Sequence, residues 1–411
     1  MTSCVPCNYG TFNTEPDQTS CVPWSCAGRL VETPGTALVD PVCGGSFRDT
    51  GMVNAFALAI TPLDELVVSG FKNDDMGLLD AFVQTHDATG TITGTTIFGS
   101  TAVDAALALA LDAAGALYVA GYTEGPLEGA ALGGYDAFVR KYDTAGLEQW
   151  TRQFGTSGED LVHAVAVDDA GFVYVAGVFD NVPAAGISPG DMFLRKYDPD
   201  GAEAWARTFG TEAFDTARDV AVAPSGSAYV VGYTYGDLVG TNAGMWDVVL
   251  RKYDSDGAPQ WTKQWGGSDY DFGVGVAVDA AEAIYVLAVE GLAAFVHKYD
   301  AQGNEVWVKT AAPSYGYLLT DLALDADGNV YVGGYAPALV DLYNYGATDA
   351  FLGKYSPSGD EEWTQLFDLG GWDDQVNAII AGSAGQVYLA GYTGAVMPSG
   401  GTAFVLEVWP P

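Results

Sequence analysis

The 411 residues carry 16 Lys+Arg against 53 Asp+Glu, a formal net charge of −37. A chain so poor in bases lacks the positive face that nucleic acid or an anionic membrane surface requires, which leaves cations, neutral sugars and basic proteins as partners. Hydrophobic residues make up 49%, and 53 glycines stand against 18 prolines, a globular, turn-rich composition rather than collagen or disorder.

At the N-terminus, Met1 to Cys7 has no apolar signal core and no later apolar run is long enough to span a bilayer. Direct membrane insertion is therefore not expected, and an export signal would lie upstream of this chain or have been removed. Cys4, Cys7, Cys21, Cys26 and Cys43 all fall before residue 44. One C-x2-C pair with no partner pair at finger spacing argues against zinc, and disulfides in an oxidising compartment fit better. An odd count leaves one thiol over, and Cys4 is the expected orphan. Residues 1–43 thus read as a small cysteine-rich module, and 44–411 as a second domain.

That second domain repeats itself. One phrase returns at Asp80-Ala-Phe-Val, Asp136-Ala-Phe-Val, Asp191-Met-Phe-Leu, Asp247-Val-Val-Leu, Ala293-Ala-Phe-Val, Asp349-Ala-Phe-Leu and Thr402-Ala-Phe-Val. A second, usually V-Y-V-x-G-Y, keeps the same beat around Val67, Tyr118, Tyr174, Tyr229, Tyr285, Tyr331 and Tyr388. Each period holds four apolar-alternating runs, here termed strands a to d; residues 164–210 show them as AVAVD, VYVAG, MFLRKYD and AWARTFG. Turns rich in Asp and Gly join a to b and c to d, as hairpins require, and no 3.6-residue period competes. The fold predicted is all-β: one seven-bladed β-propeller of four-stranded blades. The last period stops after its c strand, AFVLEVW, while GGSFRDTG at 44–51 matches a d strand. The N-terminal strand is therefore predicted to complete the seventh blade, which leaves no open sheet edge.

The run from Asp136 to Gly155, DAFVRKYDTAGLEQWTRQFG, followed by AVAVD and VYVAG, resembles the bacterial propeller repeat family known as SBBP. The resemblance covers nearly everything after Cys43. It implies the propeller fold and a place in large exported or surface proteins. The N-terminal segment CVPCNYGTFNTEPDQTSCVPWSC is similar to the cysteine-rich repeats of tumour necrosis factor receptors. That likeness implies pairing of Cys7 with Cys21 and of Cys26 with Cys43, in a disulfide-stapled stalk. Trp24 stands where many such repeats have another cysteine.

Chemistry-bearing residues recur with the blades. Asp104, Asp160, Asp215, Asp271 and Asp374 occupy one equivalent position before the apolar run of strand a, on the face where the strand-c aspartates also open. Such rings suit either calcium, which takes several oxygen ligands, or the capping of loop amides. The turns at Asp198, Asp254 and Asp325 carry fragments of a calcium-loop signature without its closing Glu, and read as hairpin turns. The long b-to-c loops offer Tyr235, Trp246, Tyr343 and Tyr345 as ligand-stacking candidates. Trp150, Trp205, Trp261, Trp307 and Trp363 share one phase in strand d and read as packing between blades; the Lys-Tyr pairs ending strand c read as scaffold, their lysines offsetting carboxylates. His86, His163 and His297 accompany no catalytic motif, so no catalytic residue is nominated.

The resulting expectation is an extracellular or cell-surface, non-enzymatic binding or adhesion module that presents its loop face to a glycan or protein. The alternative is a self-assembling structural subunit of a filament or surface layer, whose partners are copies of itself. A third reading, a propeller hydrolase or lyase, requires a deep channel pocket holding perturbed acids.

Overall fold

In the computed structural model the described residues are 28–29, 42–49, 52–73, 78–180, 190–312, 318–337, 348–367, 369, 373–394 and 402–409. They form seven antiparallel sheets. Blade four is representative, with strand a at Asp215–Val222, b at Ala228–Thr234, c at Asp247–Tyr253 and d at Pro259–Trp265 in that spatial order. Strands b and c are apolar on both faces because each is sandwiched between neighbouring blades, and Tyr229, Val231, Val248 and Leu250 are fully buried. Strand d is the outermost and has no fully buried residue in this blade.

Blade seven closes the ring as the repeat arithmetic predicts. Val42–Asp49 pairs with Thr402–Trp409, with Ser46 opposite Leu406 and Asp49 opposite Ala403. The strand starts at Val42, so the backbone of Cys43 lies in the sheet opposite Val408. Gly28–Arg29 adds a short fifth strand to blade six, opposite Phe367 and Leu366. Cys7, Cys21 and Cys26, and with them the expected disulfides, lie outside the described residues.

Adjacent blades are clasped by one repeated device. The Trp150 indole and the Lys141 ammonium both donate to the Pro199 carbonyl of the next blade, at 3.1 and 2.9 Å, and Arg152 Nε donates to Gly201 O at 2.7 Å. One blade on, Trp205, Lys196 and Arg207 hold Ser255 and Gly257 in the same way. Gly201 is required here on two counts: its φ is +81°, and a Cβ would lie 2.7 Å from the Trp150 ring. The strand-c lysines thus do more than offset carboxylates, although Lys196 also lies 3.7 Å from Asp168.

Trp150→Ala removes both the packing and the donor, and is expected to cost about 3 kcal/mol or more. Trp150→Phe keeps most of the ring and loses about 1 kcal/mol for the indole bond. Urea denaturation with an unchanged m-value checks both; equal losses would show that the hydrogen bond, not the packing, carries the clasp.

Candidate functional site

The five ring aspartates open strand a and are buried, none more than 2% exposed. Each accepts a backbone amide from the preceding d-to-a loop: Ser100 N to Asp104 at 2.6 Å, Leu369 N to Asp374 at 2.7 Å, and likewise Thr156 to Asp160, Thr211 to Asp215 and Gly267 to Asp271. A strand-c aspartate lies beside each of the first four. At Gly210 a Cβ would fall 2.4 Å from Asp191 Oδ1 and 2.7 Å from Asp215 Oδ2, so glycine alone lets the two carboxylates converge on the end of strand d. Burial, and after it the neighbouring Asp80 or Asp191, raises the pKa of Asp104 and Asp215 above the usual carboxylate range.

Calcium takes six or more oxygens. Among the described residues no group of three or more His, Cys, Asp and Glu side chains converges in a metal-binding arrangement, and the loop-amide bonds account for the position of these aspartates. The Asp198, Asp254 and Asp325 turns are likewise engaged locally, each carboxylate accepting the amides two and four residues on.

Of the loop aromatics, Tyr343 and Tyr345 lie outside the described residues. Tyr235 is 47% exposed, with its hydroxyl near Met245 Sδ, and does not line the central cavity. Trp246 is different. It stacks on Tyr233 at 4.7 Å, meets Tyr270 edge-on at 4.8 Å, and lines the mouth of the central channel together with Phe272 and Tyr335.

That channel holds a cavity of about 640 Å³. Its wall is built by a feature common to all blades: strand a carries a β-bulge at one equivalent place, and the extra residue turns inward. In blade order these residues are Phe56, Leu107, His163, Arg218, Val274, Thr320 and Asn377, and all seven line the cavity. One sector is apolar, the rest polar.

Most of the polar groups are braces between blades. Asp219 accepts Val220 N and, from blade five, Val276 N, both at 2.7 Å; Asp321 accepts Leu322 N and, from blade seven, Ile379 N, both at 2.7 Å. Thr320 donates to Val376 O at 2.6 Å, and Asn377 Nδ2 donates to Asn54 Oδ1 and Ala55 O at 2.7 and 2.8 Å, across the closure of the ring. Burial pushes the pKa of Asp219 and Asp321 up to about 7, against the pull of those amides. Burial, helped by Arg218, lowers His163 to about 3. Arg218 itself is exposed to the channel.

Sequence reasoning singled out Trp246 but passed over Arg218, Asp219, Asp321 and Asn377. The available signal was the position three residues after each ring aspartate, which runs Leu107, His163, Arg218, Val274 and Asn377 while its neighbours, Asp219 apart, stay small or apolar.

Comparison with known proteins agrees with the fold. The sequence model of the SBBP β-propeller repeat matches residues 149–178. The regulatory protein FlaEY of Caulobacter vibrioides is 31% identical over 313 residues, 63% of this chain and 33% of that protein. An uncharacterised WD repeat-containing protein of Acanthamoeba polyphaga mimivirus is 18% identical, over 59% of this chain and 25% of its own length. The chain therefore spans a third or less of these relatives. Among solved structures, a protein of unknown function from Dyadobacter fermentans superposes with a TM-score of 0.50 at 12% identity, covering 92% of this chain and 100% of that one. A Lactobacillus plantarum protein gives 0.50 at 15%, covering 76% and 84%. At such identities the likeness is one of fold.

The channel groups make opposing contributions to stability. Asp219 and Asp321, raised above their unfolded values, contribute stability that is complete below about pH 4 and lost as the pH rises through about 7. His163, depressed to about 3, contributes stability present above its unfolded value and lost as the pH falls towards 3. His163→Leu, which copies blade two, removes the second effect alone. Its urea midpoint relative to wild type should climb as the pH falls from 7 to 4 and stay flat above 7; a pH-independent difference would show that His163 titrates normally.

Proposed function

We propose that this chain is an extracellular or cell-surface binding module without catalytic function, and that it receives a glycan at the mouth of the central channel. The observation that carries the reading is the cavity itself: about 640 Å³, within the range of small-molecule sites, with the aromatic edge of Tyr233, Trp246 and Phe272 on one side and polar groups on the wall. Pyranose rings present an apolar face of C–H groups that packs on aromatic rings, with hydroxyls left for polar neighbours. The β-bulges support the same reading, because they turn one residue per blade into the cavity, Thr320 and Asn377 also bracing the next blade.

A hydrolase or lyase draws on Asp219 and Asp321, whose pKa near 7 suits general acid–base work. Both oxygens of each carboxylate, however, already accept a backbone amide, one from its own strand and one from a neighbouring blade. A proton-transferring role would break those ties, so the binding reading is preferred.

The test is a glycan array probed with wild type and with Trp246→Ala, alongside molar mass by light scattering. The expected result is a monomer that retains a set of glycans, with binding lost in Trp246→Ala while the variant stays folded, its melting temperature lowered by the loss of the Tyr233 and Tyr270 ring contacts. A blank array would count against the reading, as would hits indifferent to the substitution. Masses that climb with concentration would favour the structural-subunit alternative.

A further inference from the structure

We infer that the channel-mouth site selects carboxylate-bearing sugars of the hexuronate type and that Arg218 is the residue that reads the carboxylate. The inference rests on the glycan reading above and narrows it.

Arg218 stands apart from five other arginines. Arg140, Arg152 and Arg195 are ion-paired to glutamates, Arg207 donates to Gly257 O, and Arg251 lies over the Phe209 ring. Arg218 makes no hydrogen bond, ion pair or ring contact among the described residues, and it is exposed within the cavity. A β-bulge places it there, on the inner strand of the same blade that supplies Tyr233 and Trp246.

The adjacent Asp219 feels its charge but forms no ion pair with it. The Asp219 carboxylate is turned to the amides of Val220 and Val276. Asp321 faces its own pair of amides across the channel, and His163 is held neutral by burial. A guanidinium with its donors open to a cavity is built for a planar, singly charged oxyanion, which it grips through two parallel bonds. A phosphate monoester carries more charge and calls for further bases, and no second Lys or Arg lines the cavity among the described residues. The net charge of −37 repels anions at long range, but that field is screened beyond about 8 Å in physiological salt, so the local guanidinium decides. A hexuronate combines the required parts: a carboxylate at one edge of a ring whose apolar face lies on Trp246.

The experiment is calorimetric titration of the full chain with galacturonate and glucuronate oligosaccharides, each beside its methyl ester, which keeps the ring and removes the charge. Wild type should bind at least one acid about tenfold or more tighter than its ester. Arg218→Gln should erase that difference without lowering the melting temperature, and Arg218→Lys should keep part of it. Acid and ester bound equally, with both lost in Trp246→Ala, would overturn the role of Arg218 while leaving the glycan site standing. No binding of either, together with a blank array, would overturn both. Binding of a short peptide through its free C-terminal carboxylate, with no sugar bound, would assign Arg218 to a different ligand class and equally overturn the inference.

Discussion

Everything in this structure depends on the fact that no blade can bury its own middle. Strands b and c are apolar on both faces, so each sheet is stable only between two others, and the ring must close for the first and last sheets to be covered. Phe82 and Ala55 of blade one pack in the same cluster as Ala390 and Val405 of blade seven, which joins the two ends of the repeat. The pairing of Val42–Asp49 with Thr402–Trp409 fastens the junction with backbone hydrogen bonds.

The same requirement explains where charge and aromaticity are invested. Trp150 and Trp205 of strand d and the strand-c lysines Lys141, Lys196, Lys252 and Lys298 are spent on the carbonyls of the next blade's turn, and the ring aspartates on the amides of the loop that leads into strand a. These groups recur because the junction recurs. The bulged position of strand a lies outside that repeated junction and looks into the channel, so its identity changes from Phe to Leu, His, Arg, Val, Thr and Asn, with Thr320 and Asn377 bracing the next blade in their own way. The fold thereby separates residues that hold the disc together from residues that give it a site.

That division also governs how much was legible in the sequence. The blade count, the strand order and the closing strand follow from phrases such as Asp136-Ala-Phe-Val, because burial between blades imposes nearly the same solution seven times. The Trp ladder was readable as scaffold for the same reason. Arg218 and Asn377 were not readable as site residues, since a bulge inserts them out of step with the two-residue alternation and they match nothing in the neighbouring blades. Tyr235 and Trp246 looked alike as loop aromatics; which of them borders the channel depends on the stacking of Trp246 on Tyr233, a tertiary fact. Asp219 and Asp321 were likewise lost among 53 acids, their place as braces visible only once Val276 and Ile379 of the following blades lie against them.

The central claim is that the channel mouth is a ligand site, and its most direct test is a crystal structure of the protein grown with a hexuronate oligosaccharide. The account predicts density at the mouth of the channel, with a sugar ring against Trp246 and a carboxylate facing Arg218. A channel holding only water, with the sugar seated on the outer rim or absent, would contradict it.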